Sequence, residues 1–309
     1  MRAKEQLMSW AMVAMMLLTV ACGGSEEQPG NQPNEPQQPE EPVKHVKPSG
    51  AIKFLLDKGL RNTSFDPGED GAVATAWANG DKIMIYCAEA ANSTSETLTL
   101  GSVKQDEALH NQATRSMHWG KGDNHNFYAA YPATKISRAK SISLSIPSFQ
   151  DAKSGTAPDK SFVKLVAASE RIAPSESVDM SFVPAFSLLD ISFTATEDVV
   201  INRIVVRSTD STPIAGDFEA SYAGSKWQFA PAAGAENLSS VVALQINGSK
   251  GLELAAGEKA VFYAALMPMQ YEALEVDLIT SEGKVLRCEL EGKMEAAVCQ
   301  KIEVGELTG

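Results

Sequence analysis

From Gly50 onward the chain alternates. Ile52, Phe54 and Leu56 are spaced by Lys53 and Leu55, and Ile83, Ile85 and Cys87 by Met84 and Tyr86. Ile142, Leu144 and Ile146 sit among Ser141, Ser143 and Ser145. Leu189, Ile191, Phe193 and Ala195 are followed by Val200, Asn202, Ile204 and Val206, then by Leu274, Val276 and Leu278, and last by Val298, Gln300, Ile302 and Val304. Side chains switch faces at every residue of a strand, so a period of two buries one face only in extended backbone. Each run closes on Gly, Pro, Asn, Asp or Ser, which punctuate strands. Asp106–Arg115 is the best candidate for a turn or two of helix. The pattern predicts an all-β architecture of two β-sandwiches in series, over 50–175 and 176–309. Pro174-Ser175-Glu176-Ser177 supplies the break between them.

What precedes Gly50 is of another kind. Arg2 and Lys4 open the chain, and Leu7–Val20 is apolar apart from Ser9 and Thr19. This run is shorter than the ~20 residues of a spanning helix and has the order of a secretory signal over 1–21. Cys22 directly after Ala21 resembles the lipidation site of a bacterial lipoprotein signal, with Thr19 where that pattern usually has Leu. The resemblance implies a lipid anchor on Cys22; the alternative is an ordinary signal with an incidental Cys. Residues 22–49 form a linker, with Pro at 29, 33, 36, 39, 42 and 48 among Glu, Gln and Asn. Such a composition has no face to bury and extends as a stalk. Ser25-Glu26-Glu27 resembles an acidic signal that sends lipoproteins of Gram-negative anaerobes to the outer face of the outer membrane; otherwise it is ordinary stalk.

Composition narrows the function classes. The formal net charge is −12, and residues 22–309 are more acidic still because Arg2 and Lys4 outweigh Glu5 in the signal. An acidic chain without a basic patch is unsuited to nucleic acid. The four His stand at 45, 110, 118 and 125. Gly-x-Ser-x-Gly, the phosphate-binding loop, the dinucleotide Gly fingerprint and Cys-x-x-Cys are all missing from the sequence. His110, His118 and His125 are conceivable zinc ligands, but they fall in a stretch of Asn, Gly, Lys and Ser with no close pair. The carboxylates of Asp66–Gly71 lack the ligand spacing of an EF-hand. Neither an enzyme nor a metal or cofactor site is expected.

With Cys22 lipidated, Cys87, Cys288 and Cys299 remain. Cys288 and Cys299 flank Glu291-Gly292-Lys293-Met294-Glu295, which has the composition of a hairpin turn. In that register the two cysteines face each other, and a disulfide is feasible in an oxidising compartment. Two half-buried free thiols are the alternative.

Between the strands, Trp77-Ala78-Asn79-Gly80-Asp81-Lys82-Ile83-Met84-Ile85-Tyr86 resembles the first-domain motif of the fimbrillin family, the pilins and pilin-like lipoproteins of oral and gut anaerobes. Its physics is local: Asn79-Gly80 supplies the positive φ of a tight turn, and Asp81 is placed to accept from that turn. Phe127–Pro132, Met180-Ser181-Phe182 with Leu188-Leu189, Gly216-Asp217-Phe218 and Phe262–Pro268 resemble later landmarks of the family in its order. The usual Phe-x-His is replaced by Phe182-Val183-Pro184. The resemblance implies two transthyretin-like, Greek-key sandwiches and a role at the cell surface, as a pilus (fimbria) subunit or adhesin.

It also implies a mechanism. In polymerising members a trypsin-like surface protease cuts after an Arg that follows the first strand, and Arg61 in Gly59-Leu60-Arg61-Asn62-Thr63 stands there. Loss of Ile52, Phe54 and Leu56 then opens a groove for the strand of another pilus subunit or of a second copy, with Val298–Leu307 as this chain's own donor segment. Arg61 as an uncut loop residue is the alternative. A Cys288–Cys299 bridge would oppose release of the last strand and point to a terminal or accessory subunit. The implied partners are other subunits, the protease, a surface receptor and the membrane that holds the lipid; the implied location is the outer membrane facing outward, or the fimbrium. The runner-up function is a carbohydrate-binding surface lipoprotein using Trp119 or Trp227 as a stacking platform, against inward packing of both rings. Asp210-Ser211-Thr212 resembles a bacterial O-glycosylation tripeptide at the level of chance.

Overall fold

The computed structural model describes residues 52–56, 77–101, 117–137, 140–155, 160–175, 177–296 and 298–304. The lipidation site Cys22, the stalk, Arg61, His110 and the expected helical turn at 106–115 all lie outside them. Strands dominate, as the period of two predicts. In chain order they are β1 (Lys53–Leu56), β2 (Lys82–Tyr86), β3 (Ser95–Thr99), β4 (His125–Tyr131), β5 (Ser141–Ile146) and β6 (Phe149–Ala152). Next come β7 (Leu165–Ile172), β8 (Ser177–Met180), β9 (Phe182–Pro184), β10 (Ser187–Thr194), β11 (Val199–Ser208), β12 (Gly216–Ala223) and β13 (Lys226–Pro231). The last six are β14 (Val241–Ile246), β15 (Leu252–Leu254), β16 (Lys259–Leu266), β17 (Ala273–Thr280), β18 (Val285–Glu291) and β19 (Cys299–Val304).

They assemble into stacked, mostly antiparallel sheets. A five-stranded sheet runs β3-β2-β4-β7-β9, and a larger one runs β18-β17-β11-β14-β6 with β15 added on β11. Two three-stranded sheets run β16-β10-β19 and β13-β12-β5, and β1 pairs with β8 alone. Pairing crosses residue 175 in both directions. β5 and β6 join β12 and β14 from the C-terminal side, while β8 and β9 join β1 and β7 from the N-terminal side. The fold is all-β and sandwich-like, with a core of aligned inward rows such as Leu189, Ile191 and Phe193.

The turn at Asn79-Gly80 forms as its residues dictate. Gly80 has φ 85°, and an Asp81 carboxylate oxygen accepts from the Ala78 amide at 2.7 Å. The other oxygen of Asp81 accepts from the Tyr131 hydroxyl at 3.1 Å, which ties the turn to β4. Trp77 packs edge-on against Tyr131 and Phe182 at 5.3 and 5.0 Å. The alternation expected through Val200, Asn202 and Ile204 breaks instead at a bulge between Ile201 and Arg203. One extra residue there shifts the buried row to Ile201, Ile204 and Val206.

β6 inverts its hydropathy. Phe149 is 59% exposed, whereas Gln150 is 1% exposed. The reason lies in β16, whose outer edge has no neighbouring strand among the described residues. The Gln150 side-chain amide donates to the Ala265 carbonyl at 2.7 Å and its oxygen accepts from the Ala265 amide at 3.0 Å. Farther along the same edge Gly155 donates its N–H to the Val261 carbonyl, and the Ser154 hydroxyl accepts from the Val261 amide. Replacing Gln150 by Leu leaves both Ala265 groups buried without partners, a cost of about 2–4 kcal/mol. Urea unfolding of Gln150→Leu is expected to show that loss, while Phe149→Ser on the same strand leaves stability near wild type.

On the outward face of β11, β17 and β18, Asp277 receives two hydrogen bonds from Arg287, at 2.7 and 3.0 Å. Arg207 pairs with both Asp277 and Glu275, and Arg287 also reaches Glu275. Burial raises the Asp277 pKa, but Arg287 and Arg207 outweigh it and hold the carboxyl below its ordinary range. Its stabilisation is therefore complete above the ordinary Asp pKa and is lost as pH falls through the lowered one. Asp277→Asn is expected to lose about 1.5–3 kcal/mol at neutral pH and to flatten the fall in stability on acidification, measured by chemical unfolding at a series of pH values.

Candidate functional site: the seat of the first strand

The first strand is built to be covered on one face. Ile52, Phe54 and Leu56 are 2%, 0% and 3% exposed, and Leu55 between them is half-buried. β1 lies parallel to β8, with Phe54 opposite Val178 and Leu56 opposite Met180, both buried. Ahead of the strand, Ile52 donates its N–H to the Met117 carbonyl at 2.8 Å. β8 has no other strand partner among the described residues. Beyond β1 it is held by the Ser169 hydroxyl, which donates to the Asp179 carbonyl at 2.6 Å, and the Ser175 hydroxyl, which donates to the Ser177 carbonyl at 2.7 Å.

The floor of the seat is aromatic. Phe54 meets Phe127 edge-on at 5.7 Å. Phe127 in turn meets Trp119 edge-on at 5.7 Å and stacks over His125 at 6.3 Å. The Trp119 indole N–H donates to the Ser175 carbonyl at 3.0 Å, linking the floor to the start of β8. His125 is fully buried, and its Nε2 accepts from the Gly120 amide at 3.0 Å. Its Nδ1 is buried with no partner. Position 120 admits only glycine, since a Cβ there would stand 1.9 Å from the Glu89 carbonyl oxygen. Burying three side chains of this size is worth about 1.5–3 kcal/mol each.

Two alternatives on site residues are decided by the structure. Trp119 is no exposed platform: it is 5% exposed and forms part of the floor. Its Gly-, His- and Lys-rich neighbours suggested a loop, but its contacts, Phe127 and Ser175, come from farther along the chain. The hairpin expected between Cys288 and Cys299 is not formed either. Cys288 stands on β18 opposite Val276, and Cys299 on β19 opposite Leu188, in different sheets. Cys87, Cys288 and Cys299 are free thiols. Burial pushes Cys288 and Cys299 up to about 11 and Cys87 up to about 12, which makes them poor nucleophiles.

Trp227, the other aromatic candidate, is half-buried on the edge strand β13. It packs edge-on against Tyr222 at 5.1 Å, and Tyr222 meets Tyr128 at 6.2 Å. The last strand, β19, runs parallel to β10 with Ile302 opposite Ile191 and Val304 opposite Phe193. Ile302 and Val304 are 8% and 3% exposed, so this strand fills a place in its own body. His118 and His125 share no site with a third ligand; among the described residues no group of three or more His, Cys, Asp or Glu is arranged to hold a metal ion. Sequence reasoning missed the walls Val178 and Met180 and the floor residue His125. The period of two across Val178 and Met180 was the available signal.

The body is thus all-β and sandwich-like, with β1 in a parallel pairing with β8 over an aromatic floor. The family described as fimbrillin-like matches residues 71–302, and the chain belongs to that family. This membership marks a structural, fimbrial protein of the cell surface rather than an enzyme. Two solved structures share the fold, both of candidate cell adhesion proteins. That from Bacteroides uniformis is 14% identical, with 83% of this chain and 93% of that chain aligned at a TM-score of 0.53. That from Bacteroides ovatus is 13% identical, with 82% and 91% aligned at a TM-score of 0.51. A search of curated proteins finds no match.

Removing the Phe54 ring from this seat is expected to cost about 3–5 kcal/mol. Thermal unfolding of Phe54→Ala tests this, and Leu55→Ala, on the less buried face, is the control with the smaller loss.

Proposed function

We propose that the protein is a surface lipoprotein, held in the outer membrane through Cys22, that acts as a pilus subunit or adhesin and assembles by strand exchange. The observation that carries this reading is β1: an apolar strand, paired among the described residues with β8 alone, whose burial the seat needs and whose sequence leads on to Arg61. A trypsin-like protease cutting after Arg61 separates the strand from the rest of the body. Its departure uncovers Phe127, Val178 and Met180 and frees the backbone of β8, an opening that invites an extended segment from another subunit. The division into sandwiches over 50–175 and 176–309 is part of the same proposal, with 141–152 and 177–184 exchanged across the junction.

The adhesive role agrees with the fold shared with the candidate adhesion proteins and with the family of the chain. Receptor binding belongs with it, by an exposed surface not yet assigned. A carbohydrate-binding role now rests on Trp227 alone, because the ring of Trp119 is committed to the floor.

Mass spectrometry of the N-terminus, on intact cells and in sheared surface material, tests the assembly reading. A chain beginning at Asn62 in detergent-resistant ladders is expected. A chain that begins only at acylated Cys22 in every assembled form would overturn strand exchange and leave an anchored adhesin.

A further inference from the structure

Resting on the strand-exchange reading, we infer that the seat of β1 selects a strand from a different protein over this chain's own C-terminal strand. The preferred occupant is an extended segment, parallel to β8, with three large apolar residues at alternate positions and an aromatic ring in the middle. β1 itself shows what fits. Its three inward side chains are essentially closed off from solvent, and the central one is a phenyl ring set edge-on to Phe127.

The C-terminal segment lacks that pattern in every register. Its apolar phase reads Val298, Gln300, Ile302, Val304, Glu306, and the opposite phase reads Cys299, Lys301, Glu303, Gly305, Leu307. Any three alternate positions of the apolar phase include Gln300 or Glu306. One of these polar groups then takes the place of Ile52, Phe54 or Leu56, where apolar walls offer it no partner. No register supplies an aromatic ring, so the space over Phe127 is left underfilled. The second obstacle is independent of fit. β19 is already bound along β10 from Leu188 to Phe193, and the run leading into it is fixed by two further bonds. The Ser187 hydroxyl donates to the Glu295 carbonyl at 2.8 Å, and Leu188 donates its N–H to the Val298 carbonyl at 3.0 Å. A misfitting strand that is also committed elsewhere does not join copies of this chain into a fibre. The protein accepts a heterologous strand.

The test uses the full mature chain, cut after Arg61, and two synthetic peptides labelled with a fluorophore. Peptide 50–57 is expected to bind the cut chain, and peptide 297–307 to bind about tenfold or more weakly. The same C-terminal peptide carrying Gln300→Ile and Ile302→Phe restores the apolar-aromatic-apolar pattern and is expected to recover binding. Equal binding of the unmodified C-terminal peptide overturns the selectivity but leaves strand exchange standing. If neither peptide binds, strand exchange itself fails and the selectivity falls with it.

Discussion

Every sheet has two edges, and an edge strand carries N–H and C=O groups that must bond to something. Four edges of this protein meet that demand by four different means. On β16 the side-chain amide of Gln150 and the Ser154-Gly155 turn take the place of a strand. On β18 the exposed face is charged, with Arg287, Glu289 and Glu291, which discourages association of two such edges. On β9 the strand ends in a proline. β8 is covered by the chain's own first strand. The first three solutions are fixed by residues within the body, whereas the fourth depends on a segment joined to it through a stretch of sequence that contains Arg61. The strand-exchange proposal rests on that difference.

The architecture was legible from the period of two, because alternation is the direct imprint of a half-buried strand. The Asn79-Gly80-Asp81 turn was legible for the same reason: its geometry is settled by neighbours in sequence. What was not legible depends on partners far away along the chain. Nothing near Phe149-Gln150 announces that the phenyl ring faces outward and the amide inward, since the cause is the unpaired edge of a strand more than a hundred residues later. Trp119 is similar, with its neighbours polar and its contacts remote. The turn-like sequence before Cys299 suggested a hairpin, but β18 and β19 enter separate sheets. The row through Asn202 failed for a local reason, a bulge that no composition marks.

The seat was half legible. Its occupant stood out as Ile52, Phe54 and Leu56, and the aromatic run at Phe127 was noted as a strand. That these face each other, with Val178 and Met180 alongside, is a matter of topology. His125 exemplifies the limit. As one of three histidines in a polar stretch it suggested solvent or a metal, and it proves to be a buried ring stacked on Phe127.

The orientation of the two terminal strands bears on how the molecule forms. Most of the body is antiparallel, and neighbouring strands joined by short turns pair early because their ends are already close. β1 and β19 are parallel to their partners, and those partners are remote: Lys53 meets Ser177, and Leu188 meets Cys299. Closing such long loops carries a greater entropy cost than forming a hairpin. Both terminal strands therefore wait for more than a hundred residues of chain before their ladders exist, and each end of the body is tied down at the highest cost in loop closure.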